Sequence, residues 1–401
     1  MTEDRRLRIQ SGESEVSFAR VVGATTSAST VGTIPVFLLG AMAPFVRTEL
    51  GLSQTQLGIS VSAFWLFMAL GGVAGGHLSQ RLGATVATRL GVTGSMLAMV
   101  LASLAGSWWI LIVAMAIAGL FNSLSQPAVD LALFAGVERS RLSLAFGIKQ
   151  TALPGAAVIS GLAVPLLANS IGWRPSFLIG VVVGLPALIL MPRLVYRHVD
   201  STGRATDPNE RLQGISRFAI AFGIAMMAVS AMGAFYVESA VSHGFSSDTA
   251  GLFLAAGSLC GVVGRFVFAW RLGSITRPLI AASIIMIVGG TGVLCFAFAT
   301  AGWALLLATL VALGAGWGWN GLLTFAVVSL YPQAPARSSG YLVLGAASGG
   351  VIGPTVFGLI AQHAGFSLAW IVASGCFLGA ATILQIRRRP GLRKSSAAAT
   401  P

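Results

Sequence analysis

The chain has 401 residues, of which 55% are hydrophobic and only 9% charged, against roughly 25% charged in soluble domains. A soluble enzyme or binding module needs a charged surface to face water, and this composition excludes one. The net charge of +13 does not point to nucleic acid either, because the basic residues sit in short loops and at the termini instead of forming a stripe on one element.

The apolar residues come in blocks, and a crossing of roughly 30 Å of hydrocarbon takes about 20 of them. Met1 to Gln10 is charged, with no short apolar stretch and cleavage site directly after it, so the first span is expected to stay in the mature protein. Twelve spans are predicted, at about 19–45, 55–78, 84–106, 108–135, 143–168, 173–192, 215–241, 247–270, 277–300, 303–331, 339–362 and 366–386. The expected fold is therefore all-α integral membrane. Its parts are an N-terminal tail (1–18), a six-helix bundle (19–192), a polar linker (193–214), a second bundle (215–386) and a C-terminal tail (387–401). Of the 25 lysines and arginines, 21 fall on the side that holds both termini and only Arg47 and Arg174 on the other. The positive-inside rule then puts both termini in the cytoplasm, and the expected location is the bacterial inner membrane.

The two bundles repeat each other in parallel order. Asn122, Ala128, Val129, Arg139, Ser140, Gly147 and Gly155 recur 198 residues later as Asn320, Ala326, Val327, Arg337, Ser338, Gly345 and Gly353. Gly51-Leu-Ser53 with Gly58 likewise matches Gly244-Phe-Ser246 with Gly251, and Arg81-Leu82-Gly83 matches Arg271-Leu272-Gly273. Parallel halves imply pseudo-symmetry about an axis along the membrane normal.

Charges inside spans cost at least about 2.5–3.5 kcal/mol at the bilayer centre and therefore face partners or a water-filled cavity. Four lie clearly within spans: Asp130, Lys149, Glu238 and Arg265. Asp130 precedes the Arg139 loop by nine residues and Lys149 follows it by ten, which places both about 9–12 Å from mid-membrane toward the cytoplasm. Two readings stay open. In one, Asp130 and Lys149 form a fixed strut. In the other, Lys149 with its neighbour Gln150, and Arg265 at a similar level, offer positive potential to an anionic substrate. Glu238, close to the external loop, reads as a rim or gate residue. Thr26, Ser29, Thr30 and Thr33 make one polar face of the first span, either a cavity wall or a packing surface. Asn122 and Asn320 lie near mid-membrane, and Trp65, Trp317 and Trp319 can supply an aromatic wall. Prolines 35, 127, 154, 165 and 354 fall within spans and are expected to kink them. Gly314, Gly316 and Gly318 follow no strand and precede no lysine, so they read as close helix packing. Cys260, Cys295 and Cys376 stand alone as packing residues. With no phosphate-binding loop, zinc motif or nucleophile constellation, neither a cofactor nor enzymatic activity is expected.

The loop Gly76-His77-Leu78-Ser79-Gln80-Arg81-Leu82-Gly83 resembles the Gly-x-Leu-x-Asp-Arg-x-Gly signature of the major facilitator superfamily, with Gln80 in place of Asp. The resemblance covers the chain apart from its tails. It implies alternating access, with spans one, four, seven and ten lining the cavity, spans five and eight facing each other, and a gating or coupling part for Arg81 alongside Asp130 and Glu238. The segment Ala145 to Gly155 resembles a branch near the cyanate and nitroimidazole carriers. Gly264-Arg265 resembles the oxalate and monocarboxylate carriers, where such an arginine meets a carboxylate. The expected function is a monomeric secondary carrier in the lipid bilayer, moving a small organic anion, with any coupled ion left open. The alternative is an exporter of apolar drug-like compounds. The expected substrate contacts are Thr26, Thr30, Thr33, Asn122, Lys149, Gln150, Arg265, Trp319 and Asn320.

Overall fold

A computed structural model describes residues 17–194, 212, 214–271, 276–331 and 334–386. The two tails up to residue 16 and from 387, and most of the expected linker, lie outside these residues. Among the described residues there is no strand, and eleven helical segments are long and apolar enough to cross a membrane. They are α1 (Phe18–Ala41), α2 (Gln54–Leu82), α3 (Ala84–Ser103), α4 (Trp108–Gly136), α5 (Arg139–Ile171), α6 (Trp173–Leu190), α7 (Ile215–Ser242), α8 (Ser247–Arg271), α9 (Pro278–Phe296), α10 (Gly302–Leu330) and α11 (Arg337–Gln385). The expectation of separate helices over 339–362 and 366–386 meets one helical run here, interrupted at Gly365 with φ 84° and ψ 163°. Gly172, which separates α5 from α6, has nearly the same backbone, φ 90° and ψ 168°. Both sit in the left-handed region that favours glycine.

Turn chemistry repeats as well. Ser53 opens α2 with a reciprocal capping box, its Oγ accepting from the Gln56 N–H at 3.2 Å while Gln56 Oε1 accepts from the Ser53 N–H at 2.9 Å. Its counterpart Ser246 accepts from the Thr249 N–H at 3.2 Å at the start of α8. Gly51 and Gly244 precede these caps with φ 64° and 89°. The short helix Ala43–Leu50 extends α1 beyond its apolar part.

Helices from the two halves of the chain meet along three seams: α1 with α7, α2 with the first limb of α11, and α5 with α8. Small residues make these seams tight. The position a Cβ would take on Gly161 lies 2.6 Å from Gly251 O, and one on Gly251 lies 2.6 Å from Gly161 O. Gly40 packs in the same way on Gly233, and Gly58 on Pro354. All of these contacts fall toward the end of the molecule remote from the termini, called the far end below. There every residue from 228 to 240 of α7 is buried. Toward the end that carries Phe18 and Gln385, the seams stop. Beyond Trp65 the face of α2 away from α4 is exposed, a Cβ on Gly72, Gly76 or Gly340 meets nothing within 4 Å, and Val343 and Leu344 of α11 stand free. Contact between the halves is thus close at the far end and open toward the terminal end.

Candidate functional site

The helix α1 is packed against α4, α5 and α6 of its own half and α7 of the other. Of the threonines on its polar face, Thr26 and Thr33 are half-buried and Thr30 is buried. Thr33 Oγ1 donates to its own helix at Ser29 O (3.2 Å) or Thr30 O (3.1 Å), and Thr30 Oγ1 to Thr26 O at 2.8 Å. Such back-bonded hydroxyls keep their lone pairs free to accept. The hydroxyls of Thr26 and Ser29 are buried without a hydrogen-bond partner.

Across from this face, α4 contributes a ladder of polar groups. Asn122 is buried beneath Gly32 of α1, accepts from Gln126 Nε2 at 3.1 Å and donates toward Met68 Sδ at 3.2 Å. One turn on, Gln126 is half-buried. One turn further, Asp130 Oδ1 accepts from Lys149 Nζ at 2.8 Å. The Asp130 side chain is 41% exposed and that of Lys149 11%, so the carboxylate lies toward the opening and the ammonium behind it. The side chain of Gln150 is exposed beside them.

Two of the helices are broken at this level. In α5 a regular helix ends at Gln150 and another begins at Ala152. Pro154 accounts for the break, because it has no N–H to give the carbonyl four residues earlier. Pro165 falls in a second irregular turn, Val164–Ala168. Pro35, Pro127 and Pro354, also expected to kink their spans, lie inside continuous helices. In α10 the helix ends at Gly316 and restarts at Trp319, with the Gly318 N–H turning back to Ala315 O at 2.9 Å. Trp317 and Trp319 at this break are each 1% exposed, and their indole N–H groups, like that of Trp65, find no acceptor. Trp317 packs edge-on against Phe37 of α1, and Trp319 against Phe222 of α7. Asn320, the repeat partner of Asn122, is half-buried, and its side chain makes no hydrogen bond among the described residues. Arg265 is buried and donates to two backbone carbonyls, Trp317 O and Gln150 O. No carboxylate pairs with it among the described residues.

The far end is closed by charge as well as by glycine. Glu238 is paired with Arg47 across the halves, and its second oxygen is buried without a partner. Asn169 of α5 donates to Asp248 of α8. The remaining arginine at this end, Arg174, pairs with Glu49, which also accepts from Trp173 Nε1. Arg174, and then the Trp173 N–H, hold the Glu49 carboxyl below its ordinary 4.5. At the other end Arg81 is exposed in the last turn of α2, where a cation complements the helix dipole, and is far from the polar group just described.

A family model described as Major Facilitator Superfamily matches residues 25–341. The chain belongs to the major facilitator superfamily. Among its curated relatives is a gentisate transporter of Corynebacterium glutamicum, 28% identical over 84% of this chain and 78% of the relative. Another is an MFS-type efflux pump of Mycolicibacterium smegmatis, 25% identical over 90% of each. Among solved structures, a bacterial homolog of the human lysosomal transporter Spinster, in an inward-facing and occupied conformation, aligns with TM-score 0.74 and 17% identity. That alignment covers 93% of this chain and 97% of the other. At that identity the likeness concerns the fold. As a facilitator-type protein the chain is a membrane transporter of a small molecule, not an enzyme.

The fold leaves Thr26, Thr33, Asp130, Lys149 and Asn320 half-buried and Gln150 exposed, with Asp130 and Lys149 brought together. It buries Thr30, Asn122, Trp319 and Arg265, and places Glu238 and Arg81 at opposite ends of the molecule. Sequence reasoning passed over Gln126 and Arg47. The i, i+4, i+8 spacing of Asn122, Gln126 and Asp130 is the signal that marks Gln126. Arg47 was marked by its place as one of two arginines on the charge-poor side.

Proposed function

We propose that this facilitator is a secondary carrier of a small organic anion, caught here with its cavity open to the cytoplasm and its external side shut. The observation that carries the anion is the charge balance at the opening. Lys149 and Arg265 supply two positive charges there and Asp130 one negative. In surroundings of low dielectric an excess positive charge favours an anionic partner. Lys149 is the group proposed to meet the substrate, on exchanging its Asp130 partner for the anion, with Gln126, Gln150, Asn320 and Thr33 as hydrogen-bonding partners. Arg265 contributes chiefly field, since it is buried and its Nε and Nη1 are held by backbone carbonyls. The gentisate transporter among the relatives supports a carboxylate as the class.

Twelve crossings in two six-helix halves fit the repeat. A run of 49 residues measures about 74 Å as helix, more than twice the membrane's roughly 30 Å. Its break at Gly365 has the backbone that Gly172 has between α5 and α6. The 21-to-2 distribution of basic residues supports cytoplasmic termini and the inner membrane. The terminal-end opening is then the inward one. Glu238–Arg47 and the Gly161–Gly251 seam form the external gate that must part in the other half of the cycle.

Export of apolar compounds is the second reading. It is favoured by the efflux pump among the relatives and by the aromatic side chains of Trp317 and Trp319, which lie buried just beneath the surface. A thermal-shift titration of purified protein separates the two, because ligand binding raises stability by mass action. Gentisate and other small carboxylates should raise the melting temperature of wild type and not of K149Q. Stabilisation by tetraphenylphosphonium alone refutes the anion reading.

A further inference from the structure

Arg265 is 8% exposed, and its two described partners are unusual for a buried arginine. Nε donates to Trp317 O at 3.1 Å and Nη1 to Gln150 O at 2.5 Å. Both acceptors are main-chain carbonyls at helix breaks, and they belong to different halves of the chain. Gln150 O is the carbonyl that Pro154 leaves without its helical donor. Trp317 caps the first limb of α10, directly before the turn at Gly318. A carbonyl without a donor inside a bilayer costs several kcal/mol, and so does a charge without a partner. Here each supplies what the other lacks. A guanidinium suits the task because its planar fork holds several N–H donors at fixed angles.

Packing brings the three helices within reach of one side chain. Gly261 lies one turn before Arg265 on α8, and a Cβ there would stand 3.1 Å from Leu313 O, 3.4 Å from the Trp317 ring and 3.6 Å from Pro154. The seam between α5 and α8 runs from Gly161–Gly251 to this point, eleven residues along α5 from Gly161, or about 16 Å. It ends here. One to two turns further on, Leu144 of α5 and Val267 of α8 are exposed.

We infer that Arg265 is a positioning residue, a clamp that pins the broken middles of α5 and α10 to α8 and fixes how far the two halves part at the open end. It acts through the Gln150 carbonyl, and so it also sets where the adjacent Lys149 ammonium stands. The clamp goes beyond the anion reading and does not depend on it, since backbone carbonyls are its partners whatever the substrate.

The test is a distance measurement by double electron–electron resonance on the full chain in nanodiscs, without ligand, in a cysteine-free background. One pair of spin labels is placed at Leu144 and Val267, and a second at the exposed far-end positions Ser170 and Leu252. In R265Q and in R265K, which keeps the charge, the 144–267 distribution should widen at least twofold while the 170–252 distribution keeps its width. P154A returns a helical N–H to Gln150 O and should widen the 144–267 distances by itself. The double variant P154A/R265Q should be no wider than R265Q. If R265Q does not fold, R265K and P154A decide. Wild-type width in the folded variants overturns the clamp. So does equal broadening at both ends, which marks a general stabiliser, and so does full additivity of P154A with R265Q.

Discussion

Neutralising Asp130 and neutralising Lys149 should have unequal effects, and the asymmetry follows from where each group lies. The pair is 2.8 Å apart, with the carboxylate 41% exposed and the ammonium 11%. Removing one member of a buried pair costs about 3–5 kcal/mol because the other charge is stranded, whereas exposed pairs are worth about 0–1 kcal/mol. D130N strands the shielded ammonium and should cost about 3 kcal/mol. K149Q strands a carboxylate that still reaches the opening and should cost about 1 kcal/mol. D130N/K149Q strands neither and should stay within about 1 kcal/mol of wild type, giving a coupling of about 2–3 kcal/mol. Denaturant unfolding of the purified protein in detergent reads all four corners, provided the slope with denaturant is unchanged. Additive losses, or a K149Q loss as large as that of D130N, refute the reasoning.

Leucine at Gly251, where a Cβ already approaches Gly161 O to 2.6 Å, should hold the far end open; labelling of a far-end cysteine at Val164 by an impermeant thiol reagent should rise several-fold, and unchanged labelling counts against the seam as a gate. E238Q should also favour far-end opening by freeing Arg47, and the exchange R47E/E238R should restore the wild-type labelling ratio. Failure of the exchange to rescue removes the pair from the gate. Stability should fall slightly as pH drops through the lowered pKa of Glu49, because a depressed carboxyl stabilises the fold only while ionised, fully so above its ordinary 4.5. Both partners are well exposed, so E49Q should cost less than about 1 kcal/mol at pH 7 and flatten that acid limb. For topology, a cysteine at Ser246 should react with an impermeant reagent outside intact cells and one at Ser140 should not; the reverse pattern inverts the orientation.

Hydropathy made most of the helical fold legible, because a membrane imposes one length scale on every span. Gly365 was legible in the same way: composition marked separate spans on its two sides, and the helical run is interrupted at that one residue. Lys149 and Asp130 were legible as partners because a hairpin fixes their relative depth. Arg265 was not. Its meaning depends on carbonyls that Pro154 and the α10 break expose, and a sequence displays side chains, not unpaired backbone groups. Asn122 and Asn320 are equivalent by repeat but not by environment: one lies under Gly32 and the other stands half-buried without a side-chain hydrogen bond among the described residues. The pseudo-symmetry in sequence does not carry over to the asymmetric state that a transporter occupies at any moment.

Flux through the purified protein tests the anion reading most directly. Proteoliposomes holding the wild-type chain should take up labelled gentisate, or another small carboxylate of the thermal-shift panel, with saturation. K149Q should bind it roughly 10- to 150-fold more weakly, the loss expected for about 1.5–3 kcal/mol of contact with a charged group. Wild-type protein that moves tetraphenylphosphonium and no carboxylate, or folded K149Q that carries the anion with wild-type affinity, would contradict it.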